Sequence, residues 1–530
     1  MKGRTGIAFA LILILLPPAH AGLGLAALTD NQRVLHILNR IGFGPRPGDI
    51  ERVKKMGLDA YIEQQLHPER IDDSATEALL ARFPSIRMDG AEIAKIYVPA
   101  KDIAPGQGVH PLQKLLQELQ GQKLVRAVSS ERQLDEVMVD FWYNHFNIFW
   151  GKGLDKSLTT GYEMNAIRPH ALGKFKDLVM ATAQHPAMLF YLDNALSSSP
   201  DTLTTTMERL EQLQREPFSP RREQQIDRIR ERLEQQKKGR RPGINENYAR
   251  ELMELHTMGV DGGYTQKDVQ EVARAFTGWT IDRTRENPVF VFRAAMHDPG
   301  EKVVLGRRIG AEGMKEGERV IDILVRHPST ARFIATKLVR RFVNDAPPGS
   351  LVDRVASVYT QTDGDIRQML RAILTSGEFF SAEAYRAKTK SPFELAVSSI
   401  RALGASTNGG PRLAQAVATM GQPLYRCQAP TGFPDRASQW NSSGALLERI
   451  NFGIALASNR IPGTPVELSR FADESASADV LVQRAADLAL GGDISERTRK
   501  VVAGQVASPA GLSPVKAFSL VLGSPEFQKR

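Results

Sequence analysis

Apolar residues recur at every third or fourth position along most of this 530-residue chain, a spacing that places them on one face of an α-helix. The strict alternation typical of strands is scarce. We therefore expect a mainly α protein, a large multi-helical globular assembly. The pattern predicts helices over residues 30–41, 48–66, 111–128, 130–149, 170–193, 245–258, 265–279, 315–343, 364–376, 391–403 and 444–458.

The best case for β structure is the stretch PVFVFR, residues 288–293, followed by KVVLG, residues 302–306. Between them, HDPGE supplies residues that favour turns. We expect these two stretches to pair, so that the fold contains at most a small β-hairpin near residues 288–306.

The stretch NENYARELMELH, residues 245–256, combines charged and apolar positions in one helix. At about 100° per residue, Asn247, Arg250, Glu251 and Glu254 share one face, and His256 points to the opposite, apolar face. Two interpretations are open. The carboxylates could serve as general acid and base or as metal ligands, or they could form a solvated face with an Arg250–Glu254 salt bridge. A glycine turn follows directly and could close an acidic cleft.

Two histidines outside this helix are also candidates. His145 continues an apolar stripe four residues after Phe141, so it faces the interior as a core histidine, a metal ligand or a base. His297 and Asp298 begin the HDPGE turn. Neutral imidazole and carboxylate are ligands that suit a divalent metal, which is therefore the candidate cofactor. The candidate metal ligands are His145, His297, Glu251 and Glu254, and the candidate catalytic residues are Arg250, Glu251, Glu254 and Asp298.

The loop GQPLYRCQAPTGFPDRASQWN, residues 421–441, is stiffened by three prolines. Tyr425, Phe433 and Trp440 could offer flat surfaces to a sugar ring or an aromatic polymer, and with Asn247 they are the candidate substrate-binding residues. The alternative is that these aromatic side chains close the end of the helical core.

The composition indicates a folded core, and the first residues indicate the cellular compartment. A hydrophobic content of 42% is enough for a sizeable core. The first residues, MKGRTGIAFALILILLPPAHAGLG, show basic residues, a short apolar run and a small-residue cleavage site, so residues 1–21 are expected to be a signal peptide. Residues 22–530 then form a single helical region, exported to the periplasm or secreted, without a transmembrane anchor. Cys427 is the only cysteine, which excludes an intramolecular disulfide.

The formal net charge is +9, and much of it is local. Residues 221–241 are rich in lysine and arginine and carry a thin apolar seam at helical spacing. Proline and glycine bracket this stretch, which predicts a basic helical insertion at about residues 203–243. A solvated face is the usual outcome for such a helix in an exported protein, so we expect no nucleic-acid partner.

Several blocks of the chain together resemble the bacterial family catalogued as domain of unknown function eighteen-hundred. The resemblance covers about residues 30–530 and implies a predominantly helical, exported protein with no established reaction. Members of the family are often encoded beside proteins that resemble phosphatases and sulfatases, which implies a partner of that kind. The blocks are LHILNRIGFGPRPGDIERVKKMGLDAYIEQQLHP, MVDFWYNHFNIF, HPAMLFYLDN, NENYARELMELHTMGVDGGYTQKDVQEVARAFTGWT, HDPGEKVVLG, HPSTARFIATKLVRRFV, KSPFELAVSSIRALGA and MGQPLYRCQAPTGFPDRASQWNSSGALLERINFGIAL.

Two classes of function remain open. The chain contains no G-x-S-x-G elbow, no Walker loop, no dinucleotide-binding glycine motif and no zinc-protease helix. The first class is a binding or assembly partner of the phosphatase- or sulfatase-like neighbour in an envelope or secretion-related pathway. The second is a periplasmic, metal-assisted enzyme acting on an envelope polymer or a secreted small molecule. The first is slightly favoured because no single segment holds a complete catalytic constellation.

Overall fold

The computed structural model of this protein describes most of the chain. The predicted signal peptide lies outside the described residues, as does part of the predicted insertion. The described residues are 27–98, 109–200, 210–215, 219–238, 243–282, 288–472, 476–507 and 513–530.

The chain divides into two compact units. Unit 1 takes its described residues from 1–88, 100–147 and 334–530. Unit 2 takes them from 89–99 and 148–333.

Unit 1 is built from α-helices whose apolar faces form its core, where Leu119, Val137, Leu338 and Ile400 are almost completely buried. Several helices start at a polar cap, as the sequence pattern expects. These helices are Asp30–Arg40, Asp49–Met56, Leu58–Leu66, Ser74–Leu80, Pro111–Ser129, Gln133–His145, the part of Pro328–Phe342 from residue 334 onward, Gly349–Gln361, Ile366–Leu374, Pro392–Ala402, Pro411–Thr419, Ser443–Ala457, Ala478–Leu490, Glu496–Val506, Pro514–Leu522 and Pro525–Gln528.

Unit 2 is also mainly helical, and Leu178, Val272 and Val320 lie in its core. It contains two π-helical turns, Tyr162–Ile167 and Leu252–Thr257. Its α-helices are Gly90–Tyr97, Asp155–Gly161, Phe175–Gln184, Pro186–Tyr191, Pro220–Lys238, Glu246–Glu251, Gln266–Ala275, Lys315–Val325 and the first residues of Pro328–Phe342.

Two small antiparallel sheets lie in unit 2. Strand β1 (Trp279–Asp282) pairs with β2 (Val289–Phe292). Strand β3 (Lys302–Val304) pairs with β4 (Arg307–Ile309). The mainly α fold class is therefore confirmed.

The expected pairing of residues 288–293 with residues 302–306 is wrong. The first stretch pairs with a strand that starts at the end of the predicted helix 265–279. The second closes its own hairpin through Leu305 and Gly306, which have φ of 49° and 75°. Two adjacent residues with positive φ form the tight turn that a two-residue hairpin requires, so this pairing is local.

Three of the predicted helices are each divided in two. The helix predicted over 170–193 becomes Phe175–Gln184 and Pro186–Tyr191. The helix predicted over 48–66 breaks at Gly57, whose φ of 90° lies outside the helical region. The helix predicted over 315–343 stops at Val325, and a new one begins at Pro328. Proline lacks an amide hydrogen and is favoured at the first turn of a helix, so it marks the new start.

The helix predicted over residues 245–258 is regular only in its first half. After Glu251 it continues as a π-helix, in which the amide of Met258 donates to the carbonyl of Met253 at 2.9 Å. The wider turn departs from the regular spacing of 100° per residue beyond Glu251, but Arg250 still pairs with Glu254 at 3.3 Å. His256 is buried, as expected from the sequence.

The basic stretch forms the helix Pro220–Lys238. Arg221 is exposed there, whereas Ile226 and Ile229 are half-buried. Over the ranges that the structure describes, no helix combines the length and the apolar content needed to cross a membrane.

Candidate functional site

A cavity of about 70 Å³ lies within unit 1, and we call it the aromatic cavity. Four helices and the loop of residues 420–442 surround it. Its walls combine aromatic rings, side-chain amides and charged groups. The lining residues are Lys123, Asp140, Phe141, Tyr143, Asn144, Asn147, Arg341, Thr389, Ser391, Glu394, Gln422, Leu424, Tyr425, Phe433, Pro434, Asp435 and Trp440.

Two asparagines near the end of helix Gln133–His145 hold the loop in place. Asn144 donates to the carbonyl of Phe433 at 2.8 Å and accepts from its amide at 2.7 Å. Asn147 donates to the carbonyls of Cys427 and Ala429, at 3.1 and 2.8 Å. The loop is therefore fixed by hydrogen bonds to its backbone, which positions its side chains before any ligand arrives.

A glycine permits the closest approach between loop and helix. Gly432 has φ of 70°, and a Cβ atom there would lie 2.2 Å from the carbonyl oxygen of Asn144. No other residue fits this position without displacing the backbone.

The aromatic wall is also held by specific contacts. The rings of Tyr425 and Tyr143 meet edge to face at 5.0 Å, and Gln122 donates to the Tyr425 hydroxyl at 3.2 Å. The Lys123 ammonium lies 5.3 Å from the centre of the Tyr425 ring, a cation–π distance. Tyr425 has φ of 63°, which is unusual for a bulky residue and is maintained by these contacts.

Three ion pairs form the charged side of the cavity. Arg341 lies 2.5 Å from Glu394, and Nε of Arg530 lies 3.3 Å from the same carboxylate. Lys123 lies 2.7 Å from Asp140. Burial by itself would raise the pKa of Glu394, but the two arginines outweigh it and lower this pKa to about 2. Glu394 is thus a permanent anion that can accept hydrogen bonds but cannot act as an acid near neutral pH.

A third charged group links the loop to the rest of unit 1. The buried ammonium of Lys388 lies 2.5 Å from Asp345 and 3.0 Å from Asp435. Asp435 lines the aromatic cavity, so its carboxylate has a fixed position as well.

Three of the four predicted substrate-binding residues, Tyr425, Phe433 and Trp440, line the aromatic cavity. The Trp440 indole donates to a loop carbonyl, which orients its ring. The fourth, Asn247, belongs to unit 2, where its side-chain amide donates to the carbonyl of Leu192 at 3.3 Å.

The predicted carboxylate pair lies in unit 2. Arg250 lies between Glu246 and Glu254, at 3.4 and 3.3 Å, and donates to Gln266 at 2.8 Å. The predicted salt bridge to Glu254 is therefore present. Partial burial, and next the nearby Glu254 charge, raise the pKa of Glu251.

His297 and Asp298 are parts of a second charged network in unit 2. Arg274 binds Asp298 with two hydrogen bonds, at 3.0 and 2.9 Å. Nε2 of His297 lies 3.1 Å from Glu316, whose carboxylate is also 2.5 Å from the buried Lys302. These contacts tie the HDPGE turn to strand β3 and to helix Lys315–Val325.

The predicted metal ligands are divided between the units. His145 belongs to unit 1, whereas Glu251, Glu254 and His297 belong to unit 2. Within the described ranges, no group of three or more histidine, cysteine, aspartate or glutamate side chains is arranged to hold a metal ion.

Sequence reasoning missed the charged residues of the aromatic cavity. Asp140 and Glu394 each stand between apolar residues in a helix, and Arg341 directly precedes the apolar pair Phe342 and Val343. A charge within an apolar stripe is the signal that could have revealed them, because such a residue is buried and needs a partner. Glu394 was not identified from the sequence because it forms a capping box with Ser391, and residues of a capping box are usually exposed.

The fold and this cavity define the class: a mainly α protein of two units, one of which holds a cavity of aromatic rings and buried ion pairs. The chain belongs to the family described as Protein of unknown function (DUF1800), whose model matches residues 36–529. The resemblance seen in the sequence blocks is thus confirmed. Searches of curated proteins and of solved structures found no match to the chain.

Proposed function

We propose that this protein is an exported binding protein whose aromatic cavity holds a hydroxyl-rich ligand of the saccharide class. The observation that carries this proposal is the convergence of aromatic rings with fixed hydrogen-bonding groups on one cavity of unit 1. Sugar rings present apolar C–H faces and polar edges, so they suit a site that offers both kinds of contact.

Each type of contact has a candidate residue. Phe433 and Trp440, with ring centres 6.3 Å apart, offer apolar surface to a ring face. Glu394 and Asp140 offer oxygen atoms that accept from hydroxyl groups, and Arg341 offers donors. Because these polar groups are held by ion pairs in the absence of ligand, little ordering is needed on binding.

The charge state of the cavity favours binding over acid–base catalysis. A general acid needs a pKa near the working pH, whereas the pKa of Glu394 is lowered to about 2. Asp140 forms an ion pair with Lys123 at 2.7 Å.

Isothermal titration of the mature protein with neutral hexoses and disaccharides tests the proposal. We expect saturable binding, weakened about fivefold by Phe433→Ala, since a lost aromatic contact contributes about 1 kcal/mol. Phe471→Ala is the matched control, because Phe471 is a half-buried ring of unit 1 outside the cavity lining. Absence of binding for every neutral saccharide would show the proposal to be wrong.

Export is part of the proposal and is supported by the signal-like first 21 residues. The mature chain should begin at Gly22. The intact mass of the protein recovered from the periplasm or medium tests this, and a mass that retains Met1 would contradict it.

Assembly with a phosphatase- or sulfatase-like partner is proposed from the family resemblance. Co-expression of the chain with the product of the neighbouring gene should give a complex of fixed stoichiometry on size exclusion. Separate elution of the two proteins at micromolar concentration would argue against this partner.

A further inference from the structure

A second cavity of unit 1, of about 230 Å³, adjoins the aromatic cavity, and we call it the cationic cavity. The two cavities share five lining residues, among them Asn144, Phe433 and Asp435. The remaining wall of the cationic cavity brings together Lys337 and Arg340 from one helix with Arg436 from the loop. One ligand can therefore contact both cavities.

Two of the positive charges of this cavity, on Arg340 and Arg436, are poorly compensated. Within the described part of the chain, the guanidinium groups of Arg340 and Arg436 have neither an ion pair nor a hydrogen bond to a side chain. Among the described lining residues Asp435 is the only carboxylate, and it already pairs with Lys388 at 3.0 Å. The two arginines thus face this space without an ion-pair partner of their own.

The positive charges of this cavity also repel one another. Arg340 is half-buried, and its pKa is lowered by burial and then by the charge of Arg436, while Asp435 and Asp345 act in the opposite direction. Burial lowers the pKa of Lys337 to about 8, with the Arg340 charge acting in the same direction and Asp435 opposing it. This repulsion disfavours the empty cavity and would be relieved by an anion.

We infer that the cationic cavity binds an oxyanion: the phosphate or sulfate ester group of the saccharide whose ring lies in the aromatic cavity. Arginine suits this role because its planar guanidinium can donate two parallel hydrogen bonds to such a group. The identification of the ligand as a saccharide rests on the proposed function. The anion site itself rests on Arg340 and Arg436, which have no ion pair.

Binding should respond to pH through Lys337. The groups that face this lysine across the cavity are His145, Arg340, Asp435 and Arg436. Loss of the Lys337 proton removes one positive charge from this lining. The affinity for the anion should therefore fall as the pH rises through about 8.

Isothermal titration with inorganic phosphate, inorganic sulfate, glucose, glucose 6-phosphate and glucose 6-sulfate tests the inference. We expect at least one ester to bind about tenfold or more tightly than glucose, and the phosphate and sulfate arms show which oxyanion is preferred. Arg436→Gln and Arg340→Gln should each remove most of this gain and leave the affinity for glucose unchanged. Arg436 is exposed, so its substitution should not impair folding.

Arg497→Gln is the matched control, since Arg497 is an exposed arginine of unit 1 that lines neither cavity. An equal loss in this variant would overturn the inference, because the effect would then reflect net charge alone.

If glucose binds and neither ester binds better, the anion site is wrong and the proposed function stands. If an ion binds through Arg340 and Arg436 but no saccharide binds, the proposed function is wrong and the anion site stands. If nothing binds, both are wrong.

Discussion

Replacing Glu394 with glutamine tests the buried charges that shape the aromatic cavity. Glu394, Arg341 and Arg530 are all almost completely buried, so water screens their interaction weakly. The pKa of Glu394 is lowered from 4.5 to about 2. One pKa unit corresponds to about 1.4 kcal/mol, so the folded protein stabilises the ionised carboxylate by roughly 3 kcal/mol.

Removal of one partner from a buried ion pair gives a similar magnitude. It typically costs about 3 to 5 kcal/mol, because the remaining charges stay buried without compensation. We therefore expect Glu394→Gln to lower the free energy of unfolding by about 3 kcal/mol at pH 7.

The pH dependence follows from the direction of the pKa change. Because the pKa of Glu394 is lower in the folded state, its stabilising contribution is present above the unfolded pKa of 4.5. It is lost as the pH falls from there towards about 2. The difference in stability between the wild-type protein and Glu394→Gln should therefore shrink over this range.

Urea unfolding followed by circular dichroism at several pH values measures these differences. Glu63→Gln is the control, since Glu63 lies 2.6 Å from Arg371 in an exposed pair, which should contribute roughly 0 to 1 kcal/mol. A loss for Glu394→Gln no larger than that of the control would refute the reasoning, as would a loss that persists unchanged at pH 3.

Four further predictions concern single positions. Gly432→Ala should destabilise the protein by about 2 kcal/mol, because the new Cβ would lie 2.2 Å from the Asn144 carbonyl at a positive φ; thermal unfolding measures this. Lys337→Arg should abolish the decline in ester affinity between pH 7 and pH 9, as measured by titration calorimetry at each pH. At pH 7, Glu251→Gln should leave the melting temperature unchanged or raise it, because its raised pKa disfavours the folded carboxylate. Glu254→Gln should cost at most about 1 kcal/mol, since its arginine partner is partly exposed.

The sequence by itself determined the helical class and much of the helix placement. The helices observed at Asp30–Arg40 and Ile366–Leu374 match their predictions closely, because a periodic apolar stripe and a polar cap are local properties. It also identified the loop carrying Tyr425, Phe433 and Trp440, since a proline-rich stretch with several aromatic residues is visible without coordinates.

Only the tertiary structure decided which charges meet. Arg341, Glu394 and Arg530 are far apart along the chain, and their contact depends on how their helices pack. The same holds for Arg340 and Arg436, whose shared cavity no spacing in the sequence indicates. Local apolar periodicity predicts which face of a helix is buried, but it does not indicate which other helix or loop packs against this face.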